Sequence, residues 1–171
     1  MGLLRRDSKG PSGERFQMRE KLLSIGDDYW IENEQGERAY RVNGKALRVR
    51  KTFVLEDASG GEVARIQERK LSIRDKVAIE RQGDTAATVH KALVGIRDRF
   101  TINVKDGADM KAHGRVGDHE YEIERDGDTV ATISKKWFRV RESYGVDVAA
   151  GEDAPLILAI TVAIDSLTTR R

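Results

Sequence analysis

Residues 156–164 read LILAITVAI, and no charged side chain follows until Asp165. Wound as a helix, this segment has apolar residues on every side and no face to offer to water. Pro155 suits a first helical turn, and Glu152 and Asp153 stand where a helix dipole favours negative charge. A helix over 154–167 would be roughly 21 Å long at about 1.5 Å per residue. A bilayer core needs roughly 20 apolar residues, so this segment is too short to span one. Full burial of Leu156, Ile157, Leu158, Ile160, Val162 and Ile164 would contribute roughly 9–18 kcal/mol. Such a helix must lie inside something, and the remaining sequence says what.

That remainder repeats. Four segments align on a glycine turn, at Gly36, Gly61, Gly83 and Gly127, with spacings of 25, 22 and 44 residues. Gly107 falls inside the widest gap and marks a more diverged copy. Ten or eleven residues after the aligned glycines come Leu47, Leu71, Leu93 and Trp137, and then Arg50, Arg74, Arg97 and Arg141. Three residues later alternating runs begin: Phe53/Leu55, Val77/Ile79, Phe100/Ile102/Val104 and Tyr144/Val146/Val148. Tyr29/Ile31 opens a fifth, and residues 119–124 alternate without a fault. Period-two alternation punctuated by Gly, Asp and Asn predicts half-buried antiparallel strands, two per unit. The interval from leucine to aromatic is six residues in some copies and seven in others, and a bulge accounts for the extra one.

Six units give about twelve strands between Met18 and Val148, with no helical signal among them. An open series of that length exposes edges, and closure removes them. Twelve strands at ~4.8 Å spacing and ~40° tilt close at a diameter of roughly 24 Å. Inward side chains leave a bore of roughly 12 Å, which is the width of one α-helix. The expected fold is all-β: a closed twelve-stranded antiparallel barrel enclosing the hydrophobic C-terminal helix. Residues 1–15 read as a basic tail and 16–171 as a single domain. The first fifteen residues lack the apolar run of a secretory signal, and Arg6 stands where myristoylation wants Ser or Thr.

Several segments resemble the LURP-one-related proteins: 18–22 (MREKL), 26–31 (GDDYWI), 36–44, 119–123 (HEYEI), 130–138 (VATISKKWF), 144–146 (YGV) and the closing helix. The resemblance spans about residues 16–167. It implies the fold of the Tubby C-terminal domain and of phospholipid scramblases, in agreement with the repeats. Tubby domains bind phosphoinositides and scramblases act on phospholipids, which directs attention to lipid headgroups. No Tubby lipid-binding motif matches here residue by residue. Scramblase-like palmitoylated cysteines are excluded, because the chain has no cysteine, and no EF-hand loop is present.

Thirty-one basic and 29 acidic residues leave a formal charge of +2, so any electrostatic role depends on arrangement. In an up-and-down barrel equivalent turns share an end. One end would gather Arg48, Arg50, Lys51, Arg74, Lys76, Arg97, Arg99, Arg139 and Arg141, against Asp75, Asp98 and Glu142. The first unit breaks the pattern with Asp27 and Asp28. The glycine turns carry Glu34, Glu37, Asp57, Glu62, Asp84, Asp106, Asp109, Asp126 and Asp128. The nine bases form a candidate rim for anionic phospholipid or phosphoinositide headgroups. The alternative is that they snorkel over apolar residues and pair with nearby carboxylates.

Trp30 takes an outward slot, where it is a membrane-interface anchor or a partner contact, or is covered by a cross-strand neighbour or by the N-terminal tail. Trp137 shares the apolar slot of Leu71 and Leu93 and is expected in the core. His90, His113 and His119 show no i,i+4 helical pair and no HExxH, so neither metal nor cofactor is expected. No serine sits in a nucleophile elbow and no glycines form a phosphate loop. Thr161 and Asp165, four apart on the buried helix, are expected to bond near its exit end. The 135–141 run KKWFRVR mixes bases and aromatics, but alternation assigns it to a strand, so nucleic acid is not expected.

The function expected is a non-enzymatic module that binds anionic phospholipid surfaces peripherally. It would work in the cytoplasm or at the inner membrane surface, without a transmembrane segment. The alternatives are a protein-interaction or structural module, and behind it a small-ligand carrier or enzyme.

Overall fold

The alternating runs become strands, and each strand finds its sequence neighbour. The computed structural model describes residues 13–20, 28–45, 52–69, 76–92, 99–138 and 141–168. In chain order the strands are β1 (Glu14–Arg19), β2 (Asp28–Asn33), β3 (Arg38–Lys45), β4 (Thr52–Asp57), β5 (Glu62–Arg69) and β6 (Lys76–Arg81). They continue as β7 (Asp84–Lys91), β8 (Arg99–Val104), β9 (Met110–Arg115), β10 (Glu120–Arg125), β11 (Asp128–Ser134) and β12 (Ser143–Val148). The helix α1 (Ala154–Thr168) follows. Consecutive strands pair antiparallel, and β1 pairs with β12 from Glu14↔Val148 to Arg19↔Ser143 to close the barrel. β1 begins two residues inside the stretch expected as tail. A 3₁₀ turn at Val116–Asp118, which the sequence does not announce, joins β9 to β10.

Short connections meet at one end of the barrel and longer ones at the other. Two short turns, Gln82–Gly83 and Asp126–Gly127, hold both central residues at positive φ (52° and 83°, 53° and 83°). That is the type I′ geometry whose twist matches paired strands, and glycine adopts it without a Cβ clash. The 33–37 and 57–61 turns use a side chain instead. Asn33 Oδ1 accepts from the backbone N–H of Gln35 and Glu37, and Asp57 Oδ1 from those of Ser59 and Gly61. Register shifts fall between Ile31/Glu32, Leu55/Glu56, Ile79/Glu80 and Ile123/Glu124, all beside the short turns. The leucine-to-aromatic interval that suggested a bulge lies mostly outside the described residues.

The inward slots are those the repeat assigns. Phe53, Leu55, Val77, Ile79, Phe100, Ile102, Tyr144, Val146 and Val148 are buried. They surround α1, on which every residue from Leu156 to Leu167 is buried. Asp153 starts the helix: its Oδ1 accepts from the Leu156 N–H at 3.2 Å, satisfying one of the free donors of the first turn. Arg81 of β6 binds Asp153, and Arg125 of β10 grips Glu152 through both terminal nitrogens. The N-terminus of α1 is thereby fixed at the short-turn end.

Two expectations fail on the outside of β12. Trp137 is not in the barrel core, and residues 135–138 are not a strand: β11 stops at Ser134. The chain folds back so that Trp137 and Phe138 cover the outward position of Gly145. A Cβ there would stand 2.7 Å from Trp137 Cε3 and 2.9 Å from Phe138 Cε2. Arg15 completes this cover with its guanidinium 4.7 Å from the Trp137 ring centroid and its Nε donating to Asp147 at 3.4 Å. Glycine at 145 thus permits an outer layer that period-two reasoning cannot see.

Leu158 is fully buried in the N-terminal half of α1. Its replacement by alanine leaves a cavity that the barrel walls cannot collapse to fill. L158A is expected to lose about 2–5 kcal/mol in urea unfolding, with no change in the far-ultraviolet spectrum of the native state.

Candidate functional site

Asp165 breaks the apolar surface of α1 at its C-terminal end, and the barrel answers with donors. Tyr144 on β12 donates its hydroxyl to Asp165 Oδ2, and His119 Nε2 stands 3.3 Å from Oδ1. His119 follows the 3₁₀ turn in a left-handed conformation (φ 53°), which swings its ring onto Tyr144 with centroids 4.1 Å apart. One residue on, Ser166 donates to Glu68 Oε1 at 3.3 Å from the end of β5. Thr161 bonds back to the Ile157 carbonyl at 2.9 Å. The Tyr121 hydroxyl is enclosed beside the Thr161 side chain. Tyr29 keeps some exposed surface, while its hydroxyl end is enclosed.

Burial pushes the Asp165 carboxyl above its ordinary range, against the opposing pull of His119 and Tyr144. Burial and then the Asp165 charge push the Tyr121 and Tyr144 phenols up, so both stay protonated. Asp165 and Tyr144 are buried and His119 is partly covered, and the groove on the outer face of β8 and β9 is lined by other residues. The cluster seats the end of the helix. Thr161 and Asp165 were legible as a polar pair, whereas His119 was not legible as a partner because its strand end and α1 are 46 residues apart.

The charged rim divides differently. Lys76 at the start of β6, Arg99 at the start of β8 and Arg141 before β12 are exposed, and all three lie at the long-connection end. Arg48, Arg50, Lys51, Arg74, Arg97 and Arg139 lie outside the described residues. The topology joins β1–β2, β3–β4, β5–β6, β7–β8, β9–β10 and β11–β12 at that same end. In the sequence, the segments between those strand pairs, 20–27, 46–51, 70–75, 92–98, 116–119 and 135–142, contain eleven lysines and arginines against six carboxylates. Residues 34–37, 58–61, 82–83, 105–109, 126–127 and 149–153, at the other end, contain one base against seven carboxylates. Trp30 is half-buried, with the guanidinium groups of Arg38 and Arg41 at 5.0 and 5.8 Å from its ring centroid. Those two arginines on the neighbouring β3 provide cover from across the strands.

A closed twelve-stranded antiparallel barrel around one C-terminal helix defines a Tubby-like fold. The family model for LURP-one-related proteins matches residues 14–165, and the chain belongs to that family. An X-ray structure of a protein from Arabidopsis thaliana is similar over 95% of this chain and 96% of that one. Its TM-score is 0.64 and its identity 18%, a likeness of fold. No curated protein matches the sequence. Among the described residues, no helix is long and apolar enough to cross a membrane.

Two outcomes test the polar seat. Y144F leaves Asp165 one donor short and is expected to cost about 1–3 kcal/mol in chemical unfolding. Asp165 has a raised pKa in the fold, so its contribution is complete below the ordinary carboxylate value of 3.8 and is lost as pH rises through the folded value. D165N removes that dependence. Between about pH 4 and pH 7, its stability is expected to fall less, or rise more, than that of the parent protein.

Proposed function

We propose that this barrel is a non-catalytic module that docks peripherally on anionic phospholipid headgroups through its long-connection end. The observation that carries the reading is the segregation of charge between the two ends, which the up-and-down topology supports. Lys76, Arg99 and Arg141 are its exposed described members, and Arg48, Arg50, Lys51, Arg74, Arg97 and Arg139 complete the proposed rim. A base near an anionic leaflet contributes about 1 kcal/mol, so several together produce binding without a pocket. The filled bore favours a surface mode, because α1 occupies the space where a carrier of this shape would hold a ligand. Trp30, with two arginines near its ring, is a secondary anchor candidate on the barrel side.

Co-sedimentation with neutral, phosphatidylserine and phosphoinositide vesicles at low and physiological salt tests the reading. Binding is expected only with the anionic vesicles and is expected to weaken with salt. Changing Arg50, Arg74, Arg97 and Arg141 together to glutamate is expected to reduce it by roughly three orders of magnitude or more. A folded parent protein that binds no vesicle would redirect the function to protein partners.

A further inference from the structure

The outer face of β8, β9 and β10 carries two rows of side chains. Arg99, His113 and Glu122 are opposite one another in the first, and Thr101, Lys111 and Glu124 in the second. A ladder of opposite charges would join Lys111 to Glu124 across the strands, and it does not form. Neither Lys111 nor Arg99 makes an ion pair with Glu122 or Glu124. Instead, His113 Nε2 lies 2.9 Å from Glu124 Oε1. One ligand atom each from His113, Glu122 and Glu124 falls within 4.8 Å of the others. On the far side of β10 the opposite residues are Thr132 and Thr129, which bring no cation. Two carboxylates therefore converge on an imidazole while the neighbouring cations stay apart.

We propose that His113, Glu122 and Glu124 form a surface site for a divalent first-row transition ion such as zinc. One imidazole nitrogen with two carboxylates suits zinc and its neighbours, whereas magnesium and calcium prefer oxygen alone. Backbone ladders of adjacent strands set the spacing of the three ligands, so only side-chain rotamers adjust on binding. A groove of about 400 Å³, bordered by His113, Glu124, Arg99 and Lys111, opens against the cluster and leaves room for water at the remaining position. His113 would present Nε2 unprotonated to the ion and keep its proton on Nδ1. Arg99 and Lys111 oppose a dication, so the site is an exchangeable one and the fold does not require it.

Calorimetric titration of chelator-treated, tag-free protein with zinc chloride, with magnesium chloride in parallel, tests the site. One zinc per chain is expected, with no heat from magnesium. H113Q and E122Q are each expected to bind zinc about tenfold more weakly or worse, with unchanged circular dichroism, while H90Q keeps the parent affinity. No zinc uptake by the parent protein overturns the proposal. Retention of parent affinity by either H113Q or E122Q overturns it equally, since the site needs both ligands.

Discussion

A helix without a polar face has to be surrounded on all sides, and about twelve strands are needed to surround one. Enclosing α1 sets the strand number, through the match between a bore of roughly 12 Å and the width of a helix. It also converts what would be the ligand cavity of a barrel into a packed core, from Leu156 to Leu167. Twelve strands then require that β1 and β12 meet, and their six-pair ladder closes the ring. The outer cover of Arg15, Trp137 and Phe138 lies over this same closing pair, where Asp147 and Gly145 face outward.

Thr161 bonds back to the helix's own backbone, and the other polar groups of α1 lie towards its ends, where each end has its own fastening. At the N-terminus Glu152 and Asp153 meet Arg125 and Arg81, two of the bases at an otherwise acidic end. At the C-terminus Asp165 and Ser166 are buried and are met by Tyr144, His119 and Glu68 from three separate strand ends. The first fastening is half-exposed and adds little beyond direction. The second is enclosed, so a mismatched partner there costs the full desolvation of a charged group. Sliding α1 by one turn would strip Asp165 of its donors, which is how a small polar cluster fixes the register of an otherwise featureless apolar rod.

The barrel was legible because both of its signals are local. Period-two alternation names the inward slots, and Phe53, Val77, Phe100 and Tyr144 occupy them as the repeat requires. Glycine turns survive in the sequence because their backbone needs positive φ, as at Gly83 and Gly127. What escaped was contact between segments that share no period. Trp137 occupies the slot of Leu71 and Leu93, yet β11 ends three residues earlier and the chain turns outward, onto a glycine that alternation counts only as a gap. His119 and His113 escaped for the same reason. A search for i,i+4 histidines tests helices, whereas these imidazoles meet carboxylates across strands or on α1.

Charge segregation follows from parity. In an up-and-down barrel odd and even connections go to opposite ends, so a sequence that alternates a glycine turn with a basic connection would give the proposed basic rim one end to itself. Averaging to +2 over the chain hides this. The first unit, with Asp27 and Asp28, weakens the pattern on one side, and Asp28 is already engaged by Arg41. The helix adds to the contrast, since it delivers Glu152 and Asp153 to the acidic pole. A field built this way belongs to the strand order and cannot be removed by any single substitution. The two proposed ligand chemistries meet where Arg99 of the proposed rim stands opposite His113 across β8 and β9.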